Sequence, residues 1–309
     1  MTQLVWLKRD LRVRDHGPLF RASEAGNALC LYIFEPELLH APDCDSSHVQ
    51  FVLESLAELR ANLTELGFRL LVRTGDAVEV LKAVIEEHRV EHVWSHMETG
   101  NHLTYTRDIA VGRLLAEHSV PWTELSQHGV IRRLKKREGW AAKWAKLMKE
   151  PEAPTPRNAA GTVEGPVDTL PTLKDLGLPP SGRVEVQRGG ESHALDCLGS
   201  FLAKRGERYR EAMSSPVTAE WECSRLSTYL ACGNISMRTV YQQTEARRAE
   251  LKELRSNGHD IGKLWLKSIT SFSKRLRWHC HFIQKMEDEP SLEFENISRA
   301  CDGMRENDF

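Results

Sequence analysis

The sequence has no apolar run long enough to span a bilayer and no signal-peptide core at its N-terminus. The expectation is a cytoplasmic protein that does not associate with membranes. Its cysteines, at positions 30, 44, 197, 223, 232, 280 and 301, include no Cys-x-x-Cys pair. Free, buried thiols are expected in preference to disulfides or a thiolate metal site. His279-Cys280-His281 is metal-like in composition, but adjacent residues of a helix point in different directions, so no metal is assigned there. No Gly-x-Gly-x-x-Gly follows the first apolar run, which leaves no dinucleotide fingerprint. Arg9, Arg12 and Arg14, just beyond that run, are accordingly read as solvated or ion-paired loop residues. Charge of one sign is not in excess either, the formal net charge being −2. Nothing global then attracts nucleic acid, and any such surface has to be local.

With 309 residues, 40% of them hydrophobic and 28% charged, the chain has an ordinary globular composition and the length for two domains. Residues 1–130 alternate two patterns. Short apolar runs at 4–7, 28–34, 68–72, 92–95 and 121–125 suit buried parallel strands. Between them Val52, Leu56, Leu59, Leu63 and Leu66 recur at helical spacing and stop at Gly67. Asp76 reads as the N-cap of a helix through Val80, Leu81, Val84 and Ile85, and residues 104–118 supply another. Five strands with intervening helices predict a doubly wound parallel α/β domain.

Residues 131–192 are first basic and then proline-rich. Arg132, Arg133, Lys135, Lys136, Arg137, Lys143, Lys146 and Lys149 interleave with Trp140 and Trp144. That composition can follow a nucleic-acid backbone, or it can be an amphipathic helix with Trp140, Trp144 and Leu147 facing a core. The spacing of the two tryptophans favours the packed helix. Pro151, Pro154, Pro156, Pro166, Pro171, Pro179 and Pro180 then exclude regular structure and predict an interdomain linker. From residue 193 to 309 the patterns are helical, over 195–205, 224–232 and 264–286, with no clear strand.

Two stretches of this helical half carry chemistry. Cys223-Ser224-Arg225-Leu226-Ser227 places hydroxyls at a helix start, where unpaired N–H groups and the helix dipole favour an anion. An ordinary N-cap is the alternative reading. In the helix over 264–286, Ile269, Phe272, Leu276 and Ile283 form an apolar stripe, and Arg275, Trp278 and Phe282 lie on an adjoining face with Ser271. That second face is either core or the wall of a pocket for a flat aromatic ligand.

Tyr209, Pro216, Ser224, Leu226, Ser227, Tyr229, Leu230, Gly233, Ile235, Ser236 and Arg238 together resemble the FAD-binding signature of the DNA photolyase/cryptochrome family, with Cys223 where that family usually has Thr. Val5-Trp6-Leu7-Lys8-Arg9-Asp10-Leu11-Arg12 with Asp15 is similar to the family's opening strand and loop. The resemblance implies an α/β domain joined by a linker to an all-α FAD-binding domain that is incomplete at Phe309, so that the chain is a C-terminally truncated member. It implies FAD as cofactor, with Ser224, Leu226 and Ser227 at its phosphates, Tyr209 lining that end and Arg225 also among the cofactor-binding residues. Glu98-Thr99-Gly100 and Arg107-Asp108 match the family's pattern near an auxiliary antenna pigment, which makes such a pigment possible without identifying it.

The implied activity is light-driven repair of pyrimidine dimers in damaged DNA, by a monomer. The alternative is a cryptochrome-like signalling flavoprotein without repair. Photolyases carry Glu-x-x-Trp-Arg on the helix that faces the flipped dimer. Here Trp278 matches the Trp, Arg275 stands in place of the Glu and His279 in place of the Arg, and residues 264–285 contain no acid at all. Arg275, Trp278 and His279 are the implied DNA-facing residues.

Overall fold

The computed structural model describes residues 2–158 and 168–304. Its first half runs β1 (Thr2–Leu7), α1 (Gly17–Ala25), β2 (Asn27–Phe34), α2 (Pro36–Leu39), α3 (Ser46–Glu65), β3 (Arg69–Thr74), α4 (Ala77–His88), β4 (Val90–His96), α5 (His102–Glu117) and β5 (Trp122–Leu125). All pairings are parallel, in the order β3-β2-β1-β4-β5. The strands carry unbroken apolar runs because helices cover both faces of the sheet. Leu4, Trp6, Leu29, Leu31 and Val93 point to one core with α4 and α5. Val5, Leu7, Ala28, Cys30 and Leu70 point to the other, against α1 and α3. Asp76 caps α4 through the N–H groups of Val78 and Glu79.

Helices make up the second half: α6 (Trp140–Lys149), α7 (Glu191–Ala203), α8 (Tyr209–Ala212), α9 (Pro216–Glu222), α10 (Ser227–Cys232), α11 (Met237–Ser256) and α12 (Trp265–Asp288). Their shared core contains Trp140, Trp144, Phe201, Tyr209, Trp265, Phe272 and Leu276. Trp140 and Trp144 thus face inward, but Met148 rather than Leu147 completes their buried stripe, because it lies one more four-residue step along α6. The same four-residue step corrects the stripe on α12, which runs Ile269, Phe272, Leu276 and then Cys280 and Gln284, leaving Ile283 only partly buried. Gln284 is tolerated there because its amide pairs with both backbone groups of Ile131, at 2.7 and 3.0 Å.

Residues 150–158 and 168–190 contain no helix or strand and run over the α/β half. The Asn158 amide donates to the carbonyls of Ala28 and Gly67 at 3.2 and 3.1 Å. The Asp168 carboxylate accepts from the N–H of Val72 at 2.9 Å and pairs with Arg73. Pro166, and the chain end at 306–309, lie outside the described residues.

Candidate functional site

The order of the sheet reverses between β1 and β4, the place where open α/β sheets form a crevice at their carboxyl ends. In this chain the loop that leaves β1 there, residues 8–16, is instead the seam between the two halves. Leu11 N–H donates to Cys232 O at 3.2 Å, and the Asn234 amide donates back to Leu11 O at 3.1 Å. Glu191, at the start of α7, accepts from the N–H groups of Val13 and Arg14 at 2.9 and 3.2 Å. Arg238 meets Asp15 at 3.1 Å. Gly233 and Arg238 therefore act structurally, by fastening the helical half to this loop, whereas Ser236 caps α11 by accepting from the N–H of Thr239 at 2.9 Å.

Arg12 corrects the expectation that it is solvated or ion-paired. It is fully buried, and its guanidinium donates at 3.0 Å to the carbonyls of Arg14, Asp15 and Gly233. Arg9 and Arg14 do form ion pairs, with Glu98 at 3.2 Å and Glu191 at 3.8 Å.

Asp10, His16 and His96 form a buried cluster in the same seam, the only group with metal-ligand spacing among the described residues. Its hydrogen bonding argues for a different role. The N–H of Leu19 lies 3.1 Å from His16 Nδ1, which makes that nitrogen an acceptor and leaves the ring proton on Nε2. Nε2 sits 3.1 Å from Asp10 Oδ2 in an off-line contact, and His96 Nδ1 donates to the same oxygen at 2.8 Å. A metal at His16 would have to displace that proton. Burial opposes the charge of Asp10, but His16 and His96 outweigh it and hold the carboxyl well below its usual range. Burial pushes His96 down to about 3 despite the Asp10 contact. The cluster is an ionised carboxylate held by two imidazoles, of which that of His96 is neutral.

Glu98, Arg107 and Asp108 lie in an ion-pair network at the carboxyl edge of the sheet. Arg107 bridges Glu35 at 2.7 Å, Glu98 at 2.5 Å and Asp108 at 2.8 Å, and Lys8 joins Asp108 at 3.2 Å under the Trp6 and Trp122 rings. Burial disfavours the charge on Arg107, but its three carboxylates raise its affinity for the proton overall.

The loop before α10 gathers Ser224, Arg225, Leu226 and Ser227. Arg225 takes a left-handed φ of 57° and Leu226 a right-handed one of −89°, an alternation that turns successive N–H groups toward one concavity. That left-handed residue also delays the helix, so α10 begins at Ser227 and not at Ser224 as expected. The N–H groups of residues 224–229, and the hydroxyls of Ser224 and Ser227, make no hydrogen bond among the described residues. The carbonyls behind them are held from the other side. Arg205 donates to Cys223 O at 2.5 Å and to Ser224 O at 3.4 Å, Cys197 Sγ to Ser224 O at 3.1 Å, and Gln187 to Arg225 O at 2.9 Å. Sequence reasoning missed Arg205, which nothing in the sequence sets apart from its neighbours Lys204, Arg208 and Arg210. Tyr209 packs its ring edge-on against Phe201 and Phe272 in the core. Burial raises its phenol, with Cys223 adding to the shift and Arg275 opposing it, so it lies between this loop and α12.

On α12, Arg275 covers the Trp278 ring at 5.3 Å, and Trp278 meets Phe282 edge-on at 6.1 Å. Trp278 is 51% exposed and Phe282 54%, so this face is surface and not core. His279 does not join them in the open. It is half-buried beside the enclosed ring of His128, and burial lowers the proton affinity of both imidazoles, His128 to about 4. His279, Cys280 and His281 turn to different neighbours: His128, Trp144 and Arg137.

Residues 3–142 match the model of the DNA photolyase family. The chain belongs to the DNA photolyase/cryptochrome family. It is 28% identical to a deoxyribodipyrimidine photo-lyase of Halobacterium salinarum, over 96% of this chain and 63% of that protein. It is 30% identical to a cryptochrome DASH of Gloeobacter violaceus, over 79% of this chain and 53% of that protein. Among solved structures, a class III photolyase from Agrobacterium tumefaciens superposes with a TM-score of 0.77 at 23% identity, covering 99% of this chain and 63% of that one. This photolyase/cryptochrome chain thus has the family's α/β and helical halves and spans less than two thirds of the length of these relatives.

Proposed function

We propose that this chain carries the phosphate end of an FAD site and the DNA-facing helix of a light-driven deoxyribodipyrimidine photo-lyase. The observation that carries the reading is the row of N–H groups over residues 224–229 that make no hydrogen bond among the described residues, with the Ser224 and Ser227 hydroxyls beside them and Arg205 bracing the carbonyls behind. Such a concavity fits a pyrophosphate, whose oxygens only accept hydrogen bonds. When bound, FAD supplies the light-absorbing electron donor for splitting a pyrimidine dimer. The chain's own residues hold and orient. Ser224, Arg225 and Ser227 grip the phosphates, Leu226 anchors the loop in the core, and Tyr209 closes the side toward α12. Trp278 offers a face for an extruded pyrimidine, Arg275 a positive charge beside it, and His279 a neutral imidazole at the inner edge.

A second reading, a cryptochrome-like photoreceptor without repair, draws on the 30% identical cryptochrome DASH and on the absence of any acid in residues 264–285. Cytoplasmic location and a monomeric state belong to the same proposal, as does an antenna pigment at the sheet edge. The test is fluorescence titration of FAD into the chain and into Ser224→Ala/Ser227→Ala. Weaker binding by the double variant is expected, and equal affinity would overturn the phosphate assignment. Illumination of the FAD-loaded protein with dimer-containing DNA then separates the two readings, since only a photo-lyase restores the monomers.

A further inference from the structure

The basic segment between β5 and α6 divides into two parts that differ in their surroundings. In α6 both tryptophans are buried, so neither is available to stack on a base. The loop ahead of it is different. Arg133, Lys135 and Lys136 are exposed and make no ion pair among the described residues, and Arg133 holds a left-handed φ of 54°. Arg137, the next cation in this loop, ties it to α12 by donating to His281 Nδ1 at 3.0 Å and His281 O at 2.9 Å, with Asp288 at 3.1 Å. The His281 ring meets Phe282 at 5.5 Å, and Phe282 meets Trp278. One strip of contacts therefore runs Arg275, Trp278, Phe282, His281 and Arg137, and the three loop cations precede Arg137 closely in the chain. Partial desolvation lowers His281, and Arg137, Lys285 and Arg277 lower it further, so the strip's central imidazole stays uncharged within a ring of cations.

We propose that Arg133, Lys135 and Lys136 bind the phosphate backbone of the DNA strand whose base faces Trp278. This rests on the DNA reading above and adds a second element to it, from outside the helical half's aromatic face. The chain as a whole is slightly acidic, so the attraction has to come from local, unpaired cations, and these three sit in the loop that Arg137 anchors to α12 beside the aromatic strip. Aromatic faces give base stacking, and cations alongside give salt-dependent contacts to phosphate.

The experiment is fluorescence anisotropy of a labelled DNA duplex bound by the chain across a salt series. Each phosphate contact contributes about −0.9 to the slope of log K against log salt. Arg133→Ala/Lys135→Ala/Lys136→Ala is expected to flatten the slope by roughly 2 to 3, as the three lost contacts imply. Lys143→Ala/Lys146→Ala/Lys149→Ala removes the same charge from the outer face of α6 and is expected to leave the slope nearly unchanged. All six side chains are exposed, so both variants should unfold at the temperature of the parent chain. Equal flattening in both variants, or none in the loop variant, would overturn the proposal while leaving DNA binding standing. A parent chain that does not bind DNA would overturn both it and the reading beneath it.

Discussion

Gly233 lies against the backbone of Arg9: a Cβ added to it would sit 2.1 Å from the Arg9 carbonyl oxygen and 2.5 Å from Asp10 Cα. Its φ of 71° is also left-handed, so any side chain there is both strained and in collision with backbone that cannot swing away. The left-handed conformation costs about 1–2 kcal/mol and overpacking about 1–3. Gly233→Ala is therefore expected to destabilise by about 2–5 kcal/mol, read as a lower urea midpoint. An unchanged midpoint would show that the two halves can separate at this seam without loss.

Arg205 should matter to flavin more than to the fold. Its guanidinium holds the Cys223 and Ser224 carbonyls from behind the N–H row. Lysine keeps the charge but cannot span several carbonyls at once. Arg205→Lys is expected to weaken FAD binding roughly tenfold, about 1.4 kcal/mol, with a small change in melting temperature. Titration by flavin fluorescence checks this, and unchanged affinity would refute it.

Acid should unfold the chain before its carboxylates titrate. His96 and His128 are held neutral, down to about 3 and about 4, whereas unfolded histidine protonates near 6.5. The unfolded chain thus binds more protons as pH falls from about 6.5 toward 4, and stability present above that window is lost within it. These two groups contribute at most about 2.7 kcal/mol per pH unit, and His92, His279 and His281, shifted the same way, add to it. His128→Phe should lower the slope by up to about 1.4 kcal/mol per pH unit in denaturant titrations at stepped pH. A slope that matches the parent's would rule His128 out as a source. Asp10, shifted downward instead, adds its loss only below the usual carboxylate range.

Trp278 is half exposed, so its removal should spare the fold. Trp278→Ala is expected to weaken binding of a single-stranded oligonucleotide by about 1–3 kcal/mol, the range for one base stacked on an aromatic ring. Trp278→Phe should recover part of that loss, because a ring remains to stack. Equal affinities for all three proteins in anisotropy would remove Trp278 from the DNA surface.

Local pattern alone determined the strands, most of the helices and the doubly wound α/β class of the first half, since period and burial are properties of neighbouring residues, while the strand order came from the tertiary structure. It also picked out the loop at 223–227 and the aromatic, acid-free face of α12, whose signals are contiguous. Only the tertiary structure decided what Arg12, Glu191, Arg205 and Gln284 do. The Arg12 contact with Gly233 O spans 221 residues, and Glu191 reaches back 178 to Val13. A buried polar side chain is specified by its partners; those of Arg12 and Glu191 arrive from the other half of the chain, and those of Arg205 and Gln284 from other elements, at separations no sequence periodicity records. The Asp10–His16–His96 cluster was hidden for the same reason: β4 brings its third member across 86 residues to Asp10.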